Sequence, residues 1–338
     1  MNRILSVLLV FLILPISMNI AAGPTRQVAR PAFADRPDVH EFIQEMVGQY
    51  QFDEAVLRRQ FNTVKPSQSV LKAIRPAKSP RAKSWLTYRQ RVVEPVRIQA
   101  GMNFWRQHEA DLARAEATFG VPAEIIVAII GVETIYGRDS GNFNVFNSLA
   151  TLAFEYPPRA DLFRRELQAL LLLAREEGRD PLSYRGSFAG ALGLPQFLPS
   201  SVRRYAVDFD QDGRIDLENN ATDAIGSVGH FLQEHGWQTG TVIALPARVD
   251  GDVIPLLAEG IRPVRMPDEL AAFGVHPATQ DTVPAQPAAL IDLPTPDTDT
   301  EFRLGFNNFY MITRYNRSNF YAASVMDLAE AITAALHR

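Results

Sequence analysis

The sequence predicts a mainly helical protein of the α+β class with one small β-rich insertion towards its C-terminal end. Apolar residues recur at helical spacing over most of 39–178, and helical spacing returns over 322–336. Between these stretches, 240–300 carries short alternating runs with many prolines and glycines. We therefore expect three parts: a helical domain over 38–239, a β-rich insertion over 240–304 and a C-terminal return to the helical core over 305–338.

The N-terminal segment has the features of a secretory signal. Arg3 makes its start positive, residues 4–16 are almost wholly apolar, and small residues follow at 21–23. We expect 1–23 to be removed on export and the polar, proline-containing stretch 24–37 to be a mobile leader. An uncleaved anchor is the alternative, which the short apolar core disfavours.

Composition narrows the classes of partner and chemistry. The chain has no cysteine, which excludes a lipid-attachment cysteine, a disulfide framework and thiol chemistry. Its net charge is −4, so nothing suggests a nucleic-acid partner. No later segment is long and apolar enough to cross a membrane, and we expect no membrane anchor after signal cleavage.

Periodicity places the helices in order. The pattern predicts helices over 39–51, 98–119, 121–133 and 162–177, and a closing amphipathic helix over 322–336. Pro122 suits the first turn of the third helix, because the N–H that proline lacks would be unpaired there. Gly137 offers a left-handed stop just beyond that helix.

Glu133 is the most informative residue of the third helix. Ile126, Ile129 and Ile130 lie seven, four and three residues before it and so share its face. That face is apolar and must be buried, which desolvates the carboxylate, raises its pKa and makes it a candidate proton donor near neutral pH. The alternative is a structural glutamate neutralised by an arginine such as Arg138.

A loop rich in small residues follows over 186–200. Glycines at this density allow the backbone to approach a ligand or another chain segment closely. They match neither phosphate-binding glycine pattern, since no strand precedes them and no Lys-Ser/Thr pair follows. Ser187 and Gln196 are the polar groups of an otherwise apolar loop, and a tightly packed structural turn is the alternative.

Residues 208–215 match the first half of an EF-hand-like calcium loop. Aspartates stand at positions one, three and five, glycine at six and isoleucine at eight. The closing glutamate is absent because position twelve is Asn219, but Asp223 could close an enlarged loop over 208–223. We predict a structural Ca²⁺ site of the weak extracellular kind. A ligand-free aspartate-rich turn and a calcium-sensing switch are the alternatives.

Other catalytic schemes find no motif in the chain. There is no His-Glu-x-x-His zinc motif, the histidines do not cluster at ligand spacing, and no Gly-x-Ser-x-Gly elbow occurs. A buried acid, a polar loop and the aromatic–amide segments 309–310 and 315–316 remain. These parts suit a carbohydrate, whose apolar faces stack on rings and whose hydroxyls bond to amides; core packing is the alternative for the aromatics.

Taken in order, the segments 131–138, 186–201, 208–215, 223–228 and 312–316 closely resemble the lytic murein transglycosylase B family. The resemblance extends from about residue 39 to the C-terminus. It implies a lysozyme-like catalytic core within the helical body of a soluble periplasmic enzyme that acts on peptidoglycan glycan strands. Family members cleave the β-1,4 bond between N-acetylmuramic acid and N-acetylglucosamine without water and leave a 1,6-anhydro end.

The resemblance also implies roles for individual residues. Glu133 matches the single catalytic acid. Substrate-binding positions are matched by Ser187, Gln196, Tyr315 and Asn316, with Tyr88 and Tyr156 lining the groove. Calcium ligands are matched by Asp208, Asp210, Asp212, the Arg214 carbonyl and Asp223, although one extra residue precedes Asp223 here. We expect no organic cofactor, and partners among other cell-wall enzymes are left open.

A single acid has a chemical consequence. Ordinary glycosidases flank the bond with two carboxylates, and no residue near Glu133 in sequence is a clear second one, since Asp139 lies beyond the helix stop. We therefore expect Glu133 to act first as acid and then as base. A hydrolytic muramidase with a distant second carboxylate and a non-catalytic peptidoglycan-binding scaffold are the alternatives.

Overall fold

The computed structural model describes residues 32–76, 83–279 and 282–337. The predicted signal segment 1–23 and the first part of the predicted leader lie outside these residues. The last part of the leader prediction is wrong, because Phe33–Asp35 forms a short 3-10 helix in which Phe33 and Ala34 are buried. The Phe33 ring packs edge-on against Phe154, with 5.9 Å between ring centroids, and this contact fixes the segment to the main core.

Helices dominate the described chain, as predicted. Those before the sheet are α1 (Pro37–Tyr50), α2 (Glu54–Asn62), α3 (Gln68–Ile74), α4 (Trp85–Val92), α5 (Pro95–Gln107), α6 (Glu109–Phe119), α7 (Ala123–Thr134), α8 (Val145–Glu155), α9 (Ala160–Glu176), α10 (Pro199–Tyr205) and α11 (Ala221–Glu234). The single helix predicted over 98–119 is wrong: α5 and α6 are separate because His108 leaves the helical conformation, with φ −120° and ψ 26°.

A four-stranded antiparallel sheet lies where the sequence predicted the β-rich insertion. Its strands are β3 (Ala244–Val249), β4 (Val275–Pro277), β5 (Ala289–Leu293) and β6 (Glu301–Gly305). They run in the order β4-β3-β6-β5, with α12 (Ile254–Ala258) and α13 (Pro267–Ala271) beside them. Leu245, Leu290, Leu304 and Phe306 form part of a small core of its own. A separate short pair, β1 (Phe143–Asn144) with β2 (Arg185–Gly186), connects the start of α8 to the glycine-rich loop.

The chain returns to the helical body through α14 (Asn307–Tyr315) and α15 (Asn319–Leu336). Helix α14 was not predicted from the sequence, and α15 begins at Asn319, three residues before the predicted start at 322. Ser318 explains the earlier start, because its side chain caps α15 by accepting a hydrogen bond from the Tyr321 N–H. This cap places Tyr321 in the first turn of the helix, and α15 then packs against α4, α5, α7 and β5.

Helix α7 is the buried centre of the helical body. Ile126, Ile129 and Ile130 have no exposed surface, as their shared face predicted. Within the described ranges, no single helix combines the length and apolar composition of a membrane span. The pair α6 and α7 meets that test only jointly, and it is bent by 113°.

Candidate functional site

Glu133 lies in the last turn of α7, half-buried at the edge of the core. Its Oε1 accepts a hydrogen bond from the Tyr321 hydroxyl at 2.7 Å. Burial raises the pKa of Glu133 to about 7, and the Tyr321 hydrogen bond opposes this rise. Arg138 is exposed and, in the part of the chain that the structure describes, Glu133 forms no ion pair. The alternative of a glutamate neutralised by Arg138 is therefore wrong for this structure.

The turn after Glu133 is strained. Helix α7 ends at Thr134, and Ile135 and Tyr136 take left-handed conformations with φ of 51° and 57° before Gly137 at 89°. The stop predicted at Gly137 thus occurs two residues earlier, on a β-branched side chain. Such a conformation costs about 1–3 kcal/mol and persists only where its surroundings fix it. The Thr134 hydroxyl contributes to this by accepting a hydrogen bond from the Gly137 N–H at 3.0 Å.

Three tyrosines surround the acid. Tyr321 stacks on Tyr315, with 6.3 Å between centroids and 13° between planes. The pKa values of both are raised well above the usual value, first by burial and then by the nearby charge of Glu133. Burial and the same charge also raise the pKa of Tyr88. The Tyr88 ring packs edge-on against Phe320, the residue before Tyr321, with 5.6 Å between ring centroids. The structure thus brings together the acid and two tyrosines that the sequence predicted.

Tyr321 is the residue that sequence reasoning missed. It lay just outside the closing helix, which was expected to start at 322. A serine followed by a helical pattern is a capping signal, so Ser318 could have extended that helix to include Tyr321. Its contact with Glu133 could not have been found this way, because the two residues are 188 positions apart.

The glycine-rich loop lies against this cluster and uses its polar side chains internally. The Ser187 Oγ accepts hydrogen bonds from the N–H groups of Ala189 and Ala191 at 3.3 and 3.0 Å. The Gln196 Nε2 donates to the carbonyls of Ser140 and Gly193 at 3.1 and 2.9 Å. These bonds match the structural-turn alternative, and they also orient both side chains.

The remaining predicted substrate-binding residues lie at element ends. The Tyr315 hydroxyl donates to the Pro195 carbonyl at 2.5 Å, which joins the glycine-rich loop to the aromatic cluster. Asn316 is exposed and follows Tyr315 directly after α14. Tyr156 is half-buried at the end of α8. The structure therefore brings Tyr315 to the acid, while Tyr156 and Asn316 mark the ends of α8 and α14.

The aspartate loop has the geometry of an oxygen-ligand cation site. Carboxylate oxygens of Asp208, Asp210 and Asp212 lie within 4.8 Å of one another. Ligands of one Ca²⁺ ion stand about 2.3–2.6 Å from it, so two of them can be at most about 5 Å apart, and the three oxygens fit this limit. Gly213 takes the sharp turn at position six with φ of 91°. Hard carboxylate oxygens in this arrangement suit calcium.

Asp223 joins the two ends of the aspartate loop through hydrogen bonds to the backbone. It is fully buried, and its two oxygens accept backbone N–H bonds from Phe209 and Asp216, each at 2.8 Å. It does not belong to the group of three carboxylates found among the described residues. Each oxygen keeps a further lone pair, so these bonds hold the two ends of the loop and still leave the carboxylate able to accept another bond. The Arg214 N–H donates to Asp212 at 2.8 Å.

Comparisons with known proteins agree over nearly the whole chain. Residues 34–330 match the family described as the transglycosylase SLT domain. The chain is 41% identical over 312 residues to the membrane-bound lytic murein transglycosylase B of Escherichia coli strain K12, which covers 90% of this chain and 84% of that protein.

The chain is also similar to solved structures of lytic transglycosylases over most of its length. The soluble lytic transglycosylase SltB1 from Pseudomonas aeruginosa is 46% identical, with a TM-score of 0.81 over 89% of this chain and all of that one (100%). The Escherichia coli lytic transglycosylase Slt35 in complex with calcium is 41% identical, with a TM-score of 0.80 over 90% and 96%. Pseudomonas aeruginosa SltB3 in complex with NAG-anhNAM-pentapeptide is 30% identical, with a TM-score of 0.76 over 87% and 78%.

Proposed function

The chain belongs to the transglycosylase SLT-domain family and is a peptidoglycan-cleaving lytic transglycosylase, and we propose that Glu133 is its single acid–base residue. The bond that we assign is the β-1,4 linkage between N-acetylmuramic acid and N-acetylglucosamine, with a 1,6-anhydro end as product. One observation carries the assignment: a carboxyl group at the edge of the core, hydrogen-bonded to Tyr321, whose burial raises its pKa to about 7.

The raised pKa suits the first chemical step. Near neutral pH a substantial fraction of Glu133 is protonated and can donate its proton to the glycosidic oxygen. The bond between that oxygen and C1 then breaks, and the N-acetylglucosamine side leaves as an alcohol. Positive charge develops at C1, and the N-acetyl carbonyl oxygen of the substrate stabilises it from within the same sugar.

The second step returns Glu133 to its starting state. The ionised carboxylate removes the proton from the C6 hydroxyl, and O6 forms a bond to C1 that closes the anhydro ring. No water is consumed, and Glu133 ends protonated. The Tyr321 hydroxyl stabilises the ionised carboxylate between the two steps, since it donates a hydrogen bond to it.

A lone acid favours this scheme over hydrolysis. Asp139, the nearest carboxylate after Glu133 in sequence, is exposed. Burial raises the pKa of Glu133 and the Tyr321 hydrogen bond opposes the rise; these are the two causes that act on this carboxyl group. Hydrolytic glycosidases of the common types place their second carboxyl group about 5–10 Å from the first, where it would act on the pKa of that first group. The anhydro sugar bound to SltB3 also supports ring closure.

Ser187, Gln196, Tyr315, Asn316, Tyr88 and Tyr156 are the side chains that we assign to glycan binding. Tyr88 and Tyr315 provide rings beside the acid, while the loop that carries Ser187 and Gln196 is held against Tyr315 through Pro195. Aromatic faces and amide groups together suit the apolar faces and acetamides of an amino sugar.

Ca²⁺ is the ion that we assign to the aspartate loop, in a structural role. Asp208, Asp210 and Asp212 would hold it, with the Arg214 carbonyl and Asp223 as the additional oxygen donors. The calcium complex of Slt35 supports this assignment. We also assign the protein to the periplasm, as a soluble enzyme, because the apolar segment over 4–16 has the features of an export signal and the chain is similar to SltB1, which is described as soluble.

The test is mass spectrometry of the fragments released from purified peptidoglycan by the wild type, Glu133→Gln and Asp139→Asn. We expect wild-type fragments lighter by one water molecule than hydrolysis products, no release by Glu133→Gln, and wild-type products from Asp139→Asn. Reducing-end fragments would mean that water is the acceptor, and equal release by Glu133→Gln would refute the role of Glu133. An intact fold of that variant is checked by circular dichroism.

A further inference from the structure

Leu194 makes one hydrogen bond to the end of the calcium loop and another to the residue beside the acid. Its N–H donates to the Leu217 carbonyl at 2.8 Å. Its own carbonyl accepts a hydrogen bond from the Thr134 hydroxyl at 3.0 Å. Leu217 follows the loop of Asp208, Asp210 and Asp212, and Thr134 directly follows Glu133. One residue of the glycine-rich loop thus connects the two sites.

The contact between the loops is a close approach of backbones. Gly193 has φ of 67°, and a Cβ atom added there would lie 2.3 Å from the Leu217 carbonyl oxygen. Leu194 and Leu217 are both buried, so water cannot replace a lost hydrogen bond between them. On the other side, Asp216 is fixed by its N–H bond to buried Asp223. A movement of the Leu217 backbone would therefore move the Leu194 backbone directly, because no flexible side chain lies between them.

Thr134 forms the contact between Leu194 and the end of α7. It has no exposed surface, and its hydroxyl lies 3.0 Å from the Leu194 carbonyl and 3.3 Å from that of Ile130. The hydroxyl has one proton, and the shorter distance favours Leu194 as acceptor. The same oxygen accepts the N–H of Gly137, at the end of the strained left-handed turn. Thr134 therefore ties the last turn of α7 to the glycine-rich loop.

Pro195 and Gln196, which follow Leu194, connect to residues that we assign to glycan binding. The Pro195 carbonyl accepts the Tyr315 hydroxyl, and the Gln196 amide donates to the Gly193 carbonyl. A shift of the 193–196 segment would move Tyr315 and Gln196 relative to Glu133. Carboxylate oxygens of the three loop aspartates lie within 4.8 Å of one another, so their negative charges repel, and we expect the loop to be more ordered when a cation neutralises them.

We propose that Thr134 is a positioning residue for Glu133 and that Leu194 transmits the state of the calcium loop to it. This inference rests on the proposed roles of Glu133 and of the aspartate loop. It assigns calcium a part in catalysis through backbone contacts, in addition to its structural role.

The first measurement is amide hydrogen exchange of the wild-type protein in CaCl₂ and in EDTA. We expect the Leu194 N–H to exchange about tenfold more slowly with calcium, and the N–H groups of 135–137 to follow in the same direction. Equal exchange of Leu194 in both buffers would overturn the proposal. This experiment needs no variant, so it decides even if a substitution at Thr134 prevents folding.

The second measurement compares Thr134→Val with Thr134→Ser. Valine keeps the shape of threonine but loses the hydroxyl, so we expect kcat to fall about ten- to hundredfold, with a smaller change in KM. Serine keeps the hydroxyl and should restore most of kcat. Calcium should still raise the Tm of Thr134→Val while its remaining kcat no longer depends on calcium.

Two results would contradict the proposal: wild-type kcat in Thr134→Val, or equal losses in the valine and serine variants. Glu133→Gln separates this outcome from a failure of the proposed function. If Glu133→Gln is inactive and Thr134→Val is fully active, the relay alone is refuted. If Glu133→Gln still releases anhydro fragments, the assignment of the acid itself fails.

Discussion

Replacing Glu133 by glutamine should stabilise the protein at neutral pH while abolishing its activity. Glutamine has nearly the same shape and can still accept the hydrogen bond from Tyr321, but it never carries a charge into the half-buried site. The free energy of unfolding of the variant should therefore exceed that of the wild type by an amount that depends on pH.

The magnitude follows from the pKa of Glu133, which is raised from 4.5 to about 7 in the folded protein. Each tenfold change in proton affinity corresponds to about 1.4 kcal/mol, so the full effect is about 3 kcal/mol. Below pH 4.5 both states are protonated, and the wild type keeps its full stability. Between pH 4.5 and 7 only the unfolded state ionises, so wild-type stability falls as pH rises. Above pH 7 the loss stays constant.

Urea unfolding of the two proteins at pH 4, 6 and 8 measures this difference. Relative to the wild type, Glu133→Gln should gain about 3 kcal/mol between pH 4 and 8, with most of the gain complete by pH 7. Near-UV circular dichroism at each pH shows whether both proteins start from the native state. A difference that does not change with pH would refute the desolvation of Glu133. A wild type that gains stability relative to the variant over this interval would refute the sign.

Three further perturbations test separate parts of the structure. Tyr321→Phe removes the hydrogen-bond donor that lowers the pKa of Glu133, so the limb of the pH–kcat/KM profile assigned to Glu133 should move up by about one pH unit. A limb that does not move would contradict this role of Tyr321. Gly193→Ala places a methyl group against the Leu217 carbonyl and puts alanine at a positive φ, so urea unfolding should show a loss of about 1–3 kcal/mol in the free energy of unfolding. Wild-type stability of this variant would show that the glycine-rich loop can move away from Leu217. Millimolar Ca²⁺ should raise the Tm of the wild type but not of Asp210→Asn in scanning fluorimetry; equal Tm values in CaCl₂ and EDTA would exclude a calcium site.

Local sequence pattern predicted several features that depend on residues close together in the chain. The buried face of α7 follows from the spacing of Ile126, Ile129 and Ile130, and Glu133 on that face is desolvated for the same reason. The approach of the three loop aspartates follows from alternate positions around a glycine turn. Periodicity failed at His108, where one residue leaves the helical conformation within an otherwise continuous pattern.

Tertiary structure alone decided what surrounds the acid. Tyr321 reaches Glu133 across 188 positions because α15 packs on α7, and Thr134 reaches Leu194 across 60 because the glycine-rich loop folds back onto the end of that helix. Sequence pattern fixes which face of a helix is apolar, but it does not specify which distant element covers that face. The pKa of Glu133, its hydrogen-bond donor and its link to the aspartate loop depend on that packing, and they appear only when the chain is folded.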